Sequence, residues 1–254
     1  MRISLIELNI EWEAKESNYE RVSSLLEISA SNKCDVAVLP EMFNTGFSMN
    51  IDHIGEEING SADAFLSRSA KRYNMNIIAG FPVKDKREHK GKNIAAIYNR
   101  SGKRIAEYAK IHPFTPLKEH IYYNSGSKTV VFPIDGIPSS VFLCFDLRFP
   151  EIFRKVARDA YIIFVLANWP SSREDHWRTL LKARAIENQC FVVGVNRKGI
   201  DGNNIHYSGG SGIFNPMGEE IELKSTAGDL LIGKIEPEEV INIRSRYPFL
   251  TGSV

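Results

Sequence analysis

The sequence predicts an α/β layered fold from three observations: recurrent short apolar runs, helical stripes between several of them, and hairpin-like turn signals in the last third. The runs at residues 3–8, 36–39, 77–81, 94–98, 130–132, 141–145, 161–166 and 191–195 are apolar on successive positions. Such runs suit strands covered on both faces. Tyr19, Val22, Leu25, Leu26 and Ile28 fall at helical spacing behind Ser17 and Asn18, which would cap that helix. Residues 177–190 are rich in strong helix formers and predict a second helix, with Trp177, Leu180, Leu181 and Ile186 in the core. Gly209-Gly210-Ser211-Gly212, Asn215-Pro216-Met217-Gly218 and Ala227-Gly228-Asp229 read as turns between short antiparallel strands. No linker, repeat or composition break divides the chain. One domain is expected over residues 1–254, its core at about 3–235 and a C-terminal extension at 236–254.

Composition excludes several function classes. Lys and Arg number 32 against 31 Asp and Glu, a net charge of +1. That balance carries no electrostatic footprint for nucleic acid or an anionic membrane. No apolar run approaches the roughly 20 residues of a membrane span, and the N-terminus lacks the pattern of a signal peptide. Cys34, Cys144 and Cys190 cannot all pair and show no C-x-x-C spacing, which argues against a disulfide framework and a zinc site. His112, His176 and His206 match no standard zinc spacing either. The expectation is a reduced, cytoplasmic protein with no metal, no cofactor, no nucleic-acid partner and no membrane partner.

Three strand-like runs end in polar or reactive residues. Residues 36–39 lead into Pro40-Glu41-Met42-Phe43, residues 141–143 into Cys144-Phe145-Asp146-Leu147-Arg148, and residues 161–166 into Ala167-Asn168-Trp169-Pro170. Ligand sites in layered α/β folds gather beyond the carboxyl ends of strands. Each residue also has a plain structural reading. Cys144 could be a buried thiol, Glu41 the cap of a turn, and Lys110, after the strand-like stretch 104–109, a solvated surface lysine. Chemically, a thiol needs a nearby base or cation to become a nucleophile. Glu41 could be that base, and Lys110 could stabilise the oxyanion of an attacked acyl group. Cys34 and Cys190 lack such a context.

The combination resembles the nitrilase superfamily. The matching stretches are Leu39-Pro40-Glu41-Met42-Phe43, Lys110-Ile111-His112-Pro113-Phe114, Cys144-Phe145-Asp146-Leu147-Arg148-Phe149-Pro150-Glu151, Ala167-Asn168-Trp169-Pro170 and Ala183-Arg184-Ala185-Ile186-Glu187-Asn188-Gln189. The resemblance implies an α-β-β-α sandwich in a single domain, with Glu41 as base, Lys110 as oxyanion stabiliser, Cys144 as nucleophile and Glu119 as a fourth polar residue of the site. It implies Arg184, Glu187 and Asn188 in structural pairing, and a homodimer or larger oligomer assembled through helices at 151–158 and 177–188. Within the superfamily, Pro40-Glu41-Met42-Phe43-Asn44-Thr45-Gly46-Phe47 looks most like bacterial omega-amidases, which hydrolyse the terminal amide of 2-oxoglutaramate and similar monoamides. Phe145 stands where true nitrilases commonly have Trp. The implied reaction is amide hydrolysis through a thioester, with the backbone N–H of Phe145 beside Lys110 at the oxyanion. Substrate-binding candidates are Phe47, Tyr123 and Trp169 as pocket walls, Phe145, and Arg148 or Arg173 for a substrate carboxylate. Arg148 could equally be an ion-pair partner of Asp146 or Glu151. The alternatives are a carbamoylase, a deaminated-glutathione amidase or a nitrilase. Outside catalysis, they are a binding protein with an inactive site or a cysteine redox sensor.

Overall fold

The computed structural model describes residues 1–84 and 87–252, so the last two residues of the expected extension lie outside it. In chain order the elements are β1 (Arg2–Ile6), α1 (Lys15–Ser31), β2 (Val36–Val38), α2 (Ile51–Ile54), α3 (Ser61–Tyr73), β3 (Asn76–Val83), β4 (Lys92–Tyr98) and β5 (Arg104–Ala109). There follow α4 (Glu119–Tyr122), β6 (Phe132–Ile134), β7 (Ile137–Leu143), α5 (Pro150–Val156), β8 (Ile162–Ala167), α6 (Glu174–Asn188) and β9 (Phe191–Asn196). The chain closes with β10 (Lys198–Ile200), β11 (His206–Ser208), β12 (Gly212–Phe214), β13 (Lys224–Ser225), β14 (Leu230–Lys234) and α7 (Glu239–Arg246).

Among the described residues the strands form a sheet in the order β13-β14-β1-β2-β3-β4-β5, a sheet in the order β12-β9-β8-β7-β6, and the β10–β11 ribbon. β1, β2 and β3 run parallel, as do β7, β8 and β9. β12, β13 and β14 pair antiparallel, as the turn-rich last third predicts, and β4, β5 and β6 are antiparallel to their neighbours as well.

Alternation explains the layering. Val36 and Val38 pack with Ile3, Leu5, Ile78 and Ile97 against Phe142 and Phe164 of the second sheet. Ala37, Ile77 and Ala79 point the other way, under Val22 and Leu26 of α1 and Leu66 and Ala70 of α3. Trp177 and Leu181 of α6 and Ile152 and Phe153 of α5 cover the far side of the second sheet. The order is helices, sheet, sheet, helices. Strands buried on both faces must be apolar throughout, which is why the runs lack a polar alternate.

Some expectations shift. α1 begins at Lys15 with Ala14 at its cap position, so Ser17 and Asn18 lie inside it. Asn18 instead donates to the carbonyls of Glu11 and Asn44, which hold the chain on either side. β6 runs over Phe132–Ile134 rather than 130–132, because its partner strand starts at the Asp135-Gly136 turn. Ile186, expected in the core, is 47% exposed because it lies on the outward face of α6. α7, in the expected extension, packs back through buried Val240 and through Arg244, which donates to the carbonyls of Gln189 and Ala160.

Candidate active site

The ends of β2, β5, β7 and β8 bring Glu41, Lys110, Cys144 and Asn168 together. Glu41 is fully buried in the turn after β2, where Met42 takes a left-handed φ of 47°. The turn lies close on β3: a Cβ at Gly80 would come within 2.8 Å of Glu41 Cα. Cys144 starts the tight turn after β7 and also has a left-handed backbone, φ 42°. Non-glycine residues in that region are strained and persist where the surroundings hold them.

Lys110, directly after β5 and 2% exposed, donates to Glu41 Oε1 at 2.8 Å and to Glu119 Oε2 at 2.9 Å. Glu119 opens α4 and accepts the backbone N–H of Phe114 as well. Asn93 on β4 donates through Nδ2 to Glu41 Oε1 at 2.8 Å and Glu119 Oε1 at 3.0 Å. Asn168, after β8, donates its backbone N–H to Glu41 Oε2 at 3.1 Å and its amide to the Glu41 carbonyl at 2.6 Å. The Asn168 carbonyl in turn lies 3.7 Å from Cys144 Sγ. The four residues expected at the site therefore meet, and Asn93 and Asn168 join them. Asn168 obeys the same logic as Glu41, a polar residue just past a buried strand. Asn93 lies inside a strand, where nothing in a single sequence distinguishes it.

A cleft of about 310 Å³ opens over Cys144. Phe47, Phe114, Phe145 and Trp169 line it, with Arg148 and Arg173 on the same wall region. Arg148 lies 4.8 Å over the Trp169 ring, its Nη2 3.2 Å from His176 Nδ1, and Arg173 lies 5.8 Å from the Phe114 ring centroid. Neither forms an ion pair among the described residues. Asp146, once a candidate partner of Arg148, is taken up by Tyr108 and His112. Tyr123 departs from the expected pocket wall. It is buried behind Phe47 with its hydroxyl donating to the Ser48 carbonyl, because it packs among Met42, Ile51 and Ile54. Tyr207 lines the cleft in addition and was not foreseen.

Residues 2–245 match the family model described as carbon-nitrogen hydrolase. The chain belongs to the carbon-nitrogen hydrolase family. It is 35% identical over 248 residues to the 2-oxoglutaramate amidase of Bacillus subtilis strain 168, covering 97% of this chain and 95% of the relative. It is 34% identical over 221 residues to the omega-amidase YafV of Escherichia coli strain K12, covering 87% of this chain and 84% of that one. The crystal structure of XC1258 from Xanthomonas campestris, a CN-hydrolase superfamily protein with an arsenic adduct in its active site, superposes with a TM-score of 0.93. It is 32% identical and the match covers 100% of this chain and 97% of that one.

Electrostatics define what this carbon-nitrogen hydrolase can do. Burial opposes charge on Lys110, yet Glu119 and Glu41 outweigh it, so the ammonium is held more firmly than in an ordinary lysine. Burial pushes the Cys144 thiol well above the usual range, with Glu41 adding to the rise and Lys110 opposing it. Glu41 and Lys110 thus act on the thiol in opposite senses. Arg184 donates to the Leu147 carbonyl at 2.7 Å and pairs with Glu187 at 2.9 Å, which fixes the Cys144 turn to α6. Asn188 donates to the Arg184 carbonyl.

Proposed function

We propose that this enzyme hydrolyses the omega-amide of a small 2-oxo-dicarboxylic acid monoamide, of the 2-oxoglutaramate type, and releases ammonia. One observation carries the reading: two guanidiniums, Arg148 and Arg173, face a cleft floored by Cys144, and among the described residues neither has a carboxylate partner and no Asp or Glu lines that cleft. A ligand carboxylate would supply the missing counter-charge in a bidentate geometry. The names of the relatives, 2-oxoglutaramate amidase and omega-amidase, support the same reading.

In this reading Cys144 attacks the amide carbon as its proton passes to Glu41. Lys110 and the Phe145 backbone N–H hold the oxyanion, and Glu41 returns the proton to the departing ammonia. Glu41 then activates water against the thioester, and Glu119 keeps Lys110 charged and in place. Phe47, Phe114 and Trp169 limit the length of the chain that fits, and Tyr123 supports Phe47 from behind.

We extend the proposal to assembly and compartment. Exposed Ile186 on α6, beside the Gly218 turn with exposed Met217, fits a homodimer or larger oligomer. Light scattering checks this, since a monomer mass would refute it. Three free cysteines fit a reducing cytoplasm. Among the described residues no helix is long and apolar enough to cross a membrane. The deciding experiment is ammonia release across a panel of 2-oxo-dicarboxylic monoamides, neutral amides, carbamoyl compounds, deaminated glutathione and nitriles. Preference for any of the last three classes would replace the omega-amidase reading, and no turnover at all would leave a binding protein.

A further inference from the structure

The two oxygens of Glu41 have different surroundings, and Asn93 makes them so. Asn93 is 1% exposed on β4. Its amide has two N–H bonds, and they go to two different carboxylates, Glu41 Oε1 and Glu119 Oε1. Its backbone carbonyl accepts the N–H of Lys110 at 2.9 Å, so one residue touches three members of the cluster. Glu41 Oε1 thus accepts from Asn93 and from Lys110 Nζ, both at 2.8 Å, which fills its two lone pairs. Glu41 Oε2 accepts the Asn168 backbone N–H at 3.1 Å and a long contact of 3.3 Å from the Asn168 amide. The same Asn168 presents its carbonyl to Cys144 Sγ. Oε2 is therefore the oxygen on the Asn168 side, beside the residue whose carbonyl meets Cys144, and its two donors, both from Asn168, are the more distant pair.

We infer that Asn93 is a positioning residue that directs proton transfer from Cys144 to Glu41 Oε2, by occupying Oε1 and bridging Glu41 to Glu119 without adding a charge. In the step, the S–H bond breaks and an O–H bond forms on Oε2. The sulfur pair makes the S–C bond, and the carbonyl π pair moves onto oxygen. A side chain with two donors and no charge suits this place. A carboxylate would repel both neighbours, and a hydroxyl could donate to one of them alone.

The inference rests on the reading of Glu41 as base, so the experiment separates the two. Asn93→Ala, Asn93→Ser and Asn93→Asp are assayed for ammonia release beside Glu41→Gln, with thermal unfolding of each variant. Asn93→Ala is expected to lower kcat by roughly 100-fold, the cost of a misplaced reacting group. KM should stay within about twofold, since Asn93 does not line the cleft. Losing an N–H donor raises the proton affinity of Glu41, so the acid limb of kcat/KM should move to higher pH. Asn93→Asp should move it further, and Asn93→Ser, with one donor, less. Wild-type kcat and an unmoved acid limb in folded Asn93→Ala or Asn93→Ser, with Glu41→Gln inactive, would overturn the role of Asn93 alone. Activity in Glu41→Gln would overturn the base reading itself. If Asn93→Ala fails to fold, the acid limbs of Asn93→Ser and Asn93→Asp decide the matter.

Discussion

Asp146 holds His112 twice, accepting its backbone N–H and lying 2.9 Å from its Nδ1. The same carboxylate accepts the Tyr108 hydroxyl at 2.7 Å and the Leu143 N–H at 3.2 Å, while His112 stacks on Phe149 at 3.7 Å. Asp146 is fully buried and belongs to the Cys144 turn, whereas Tyr108 and His112 flank Lys110. It therefore ties the Cys144 turn to the segment that carries Lys110. Asp146→Ala should cost about 3 kcal/mol of stability, the scale for stripping a buried charged acceptor from its donors. Urea unfolding measures it. A loss under about 1 kcal/mol would show that the clamp is not structural.

Cys144→Ala should abolish ammonia release and leave the fold intact. The thiol makes one weak hydrogen bond, 3.7 Å to the Asn168 carbonyl, and Cys144 is only partly buried against the core, so the loss of the sulfur should change stability by about 1 kcal/mol or less. Activity above a few percent of wild type in a purified, folded variant would remove the covalent route.

Stability should fall at alkaline pH for a reason that can be assigned. Cys190 is fully buried, and burial pushes its thiol up to about 12. In the unfolded chain it ionises near pH 8.5. The folded value is the higher one, so this contribution is whole below about pH 8.5 and is lost as pH rises toward 12. The slope is at most about 1.4 kcal/mol per pH unit for one thiol. Cys144 acts in the same sense. Between pH 8.5 and 10, urea unfolding of the wild type should lose about 2 kcal/mol more than that of Cys190→Ala. Parallel pH slopes for the two proteins would contradict the assignment.

Much of this was readable in the chain because burial on both faces leaves a mark: β8 and β9 are apolar at nearly every position. Reactive residues just past such strands, Glu41 and Cys144, stand out for the same reason. What stayed hidden depends on three-dimensional partners. Asn93 is one polar residue at the start of an apolar run, and its role exists only because the turn after β2 and the start of α4 place two carboxylates over it. Tyr123 looked like a pocket wall in the sequence, yet its hydroxyl is committed to the Ser48 carbonyl one layer back. Ile186 sits on a helix whose weakly segregated pattern does not reveal which face turns outward.

The two cleft arginines make specificity testable. Arg148 is held by the Trp169 ring and His176, and burial and the neighbouring Arg173 both disfavour its charge. A second cation nearby, with no carboxylate between them, is a field that an anionic substrate relieves. A charge-assisted hydrogen bond contributes about 1.5–3 kcal/mol, or roughly 10–100-fold in kcat/KM. We expect 2-oxoglutaramate or succinamate to exceed butyramide by at least that factor. Arg173→Ala and Arg148→Ala should each erase much of the preference, mainly through KM, and leave the slow turnover of butyramide nearly unchanged. Arg148→Ala also removes the cation from the Trp169 ring, so Arg148→Lys serves as its control: it keeps the charge and loses the bidentate fork. Equal kcat/KM for charged and neutral amides in the wild type would replace the omega-amidase reading with that of a general aliphatic amidase. Retained preference in both alanine variants would place the carboxylate elsewhere in the cleft.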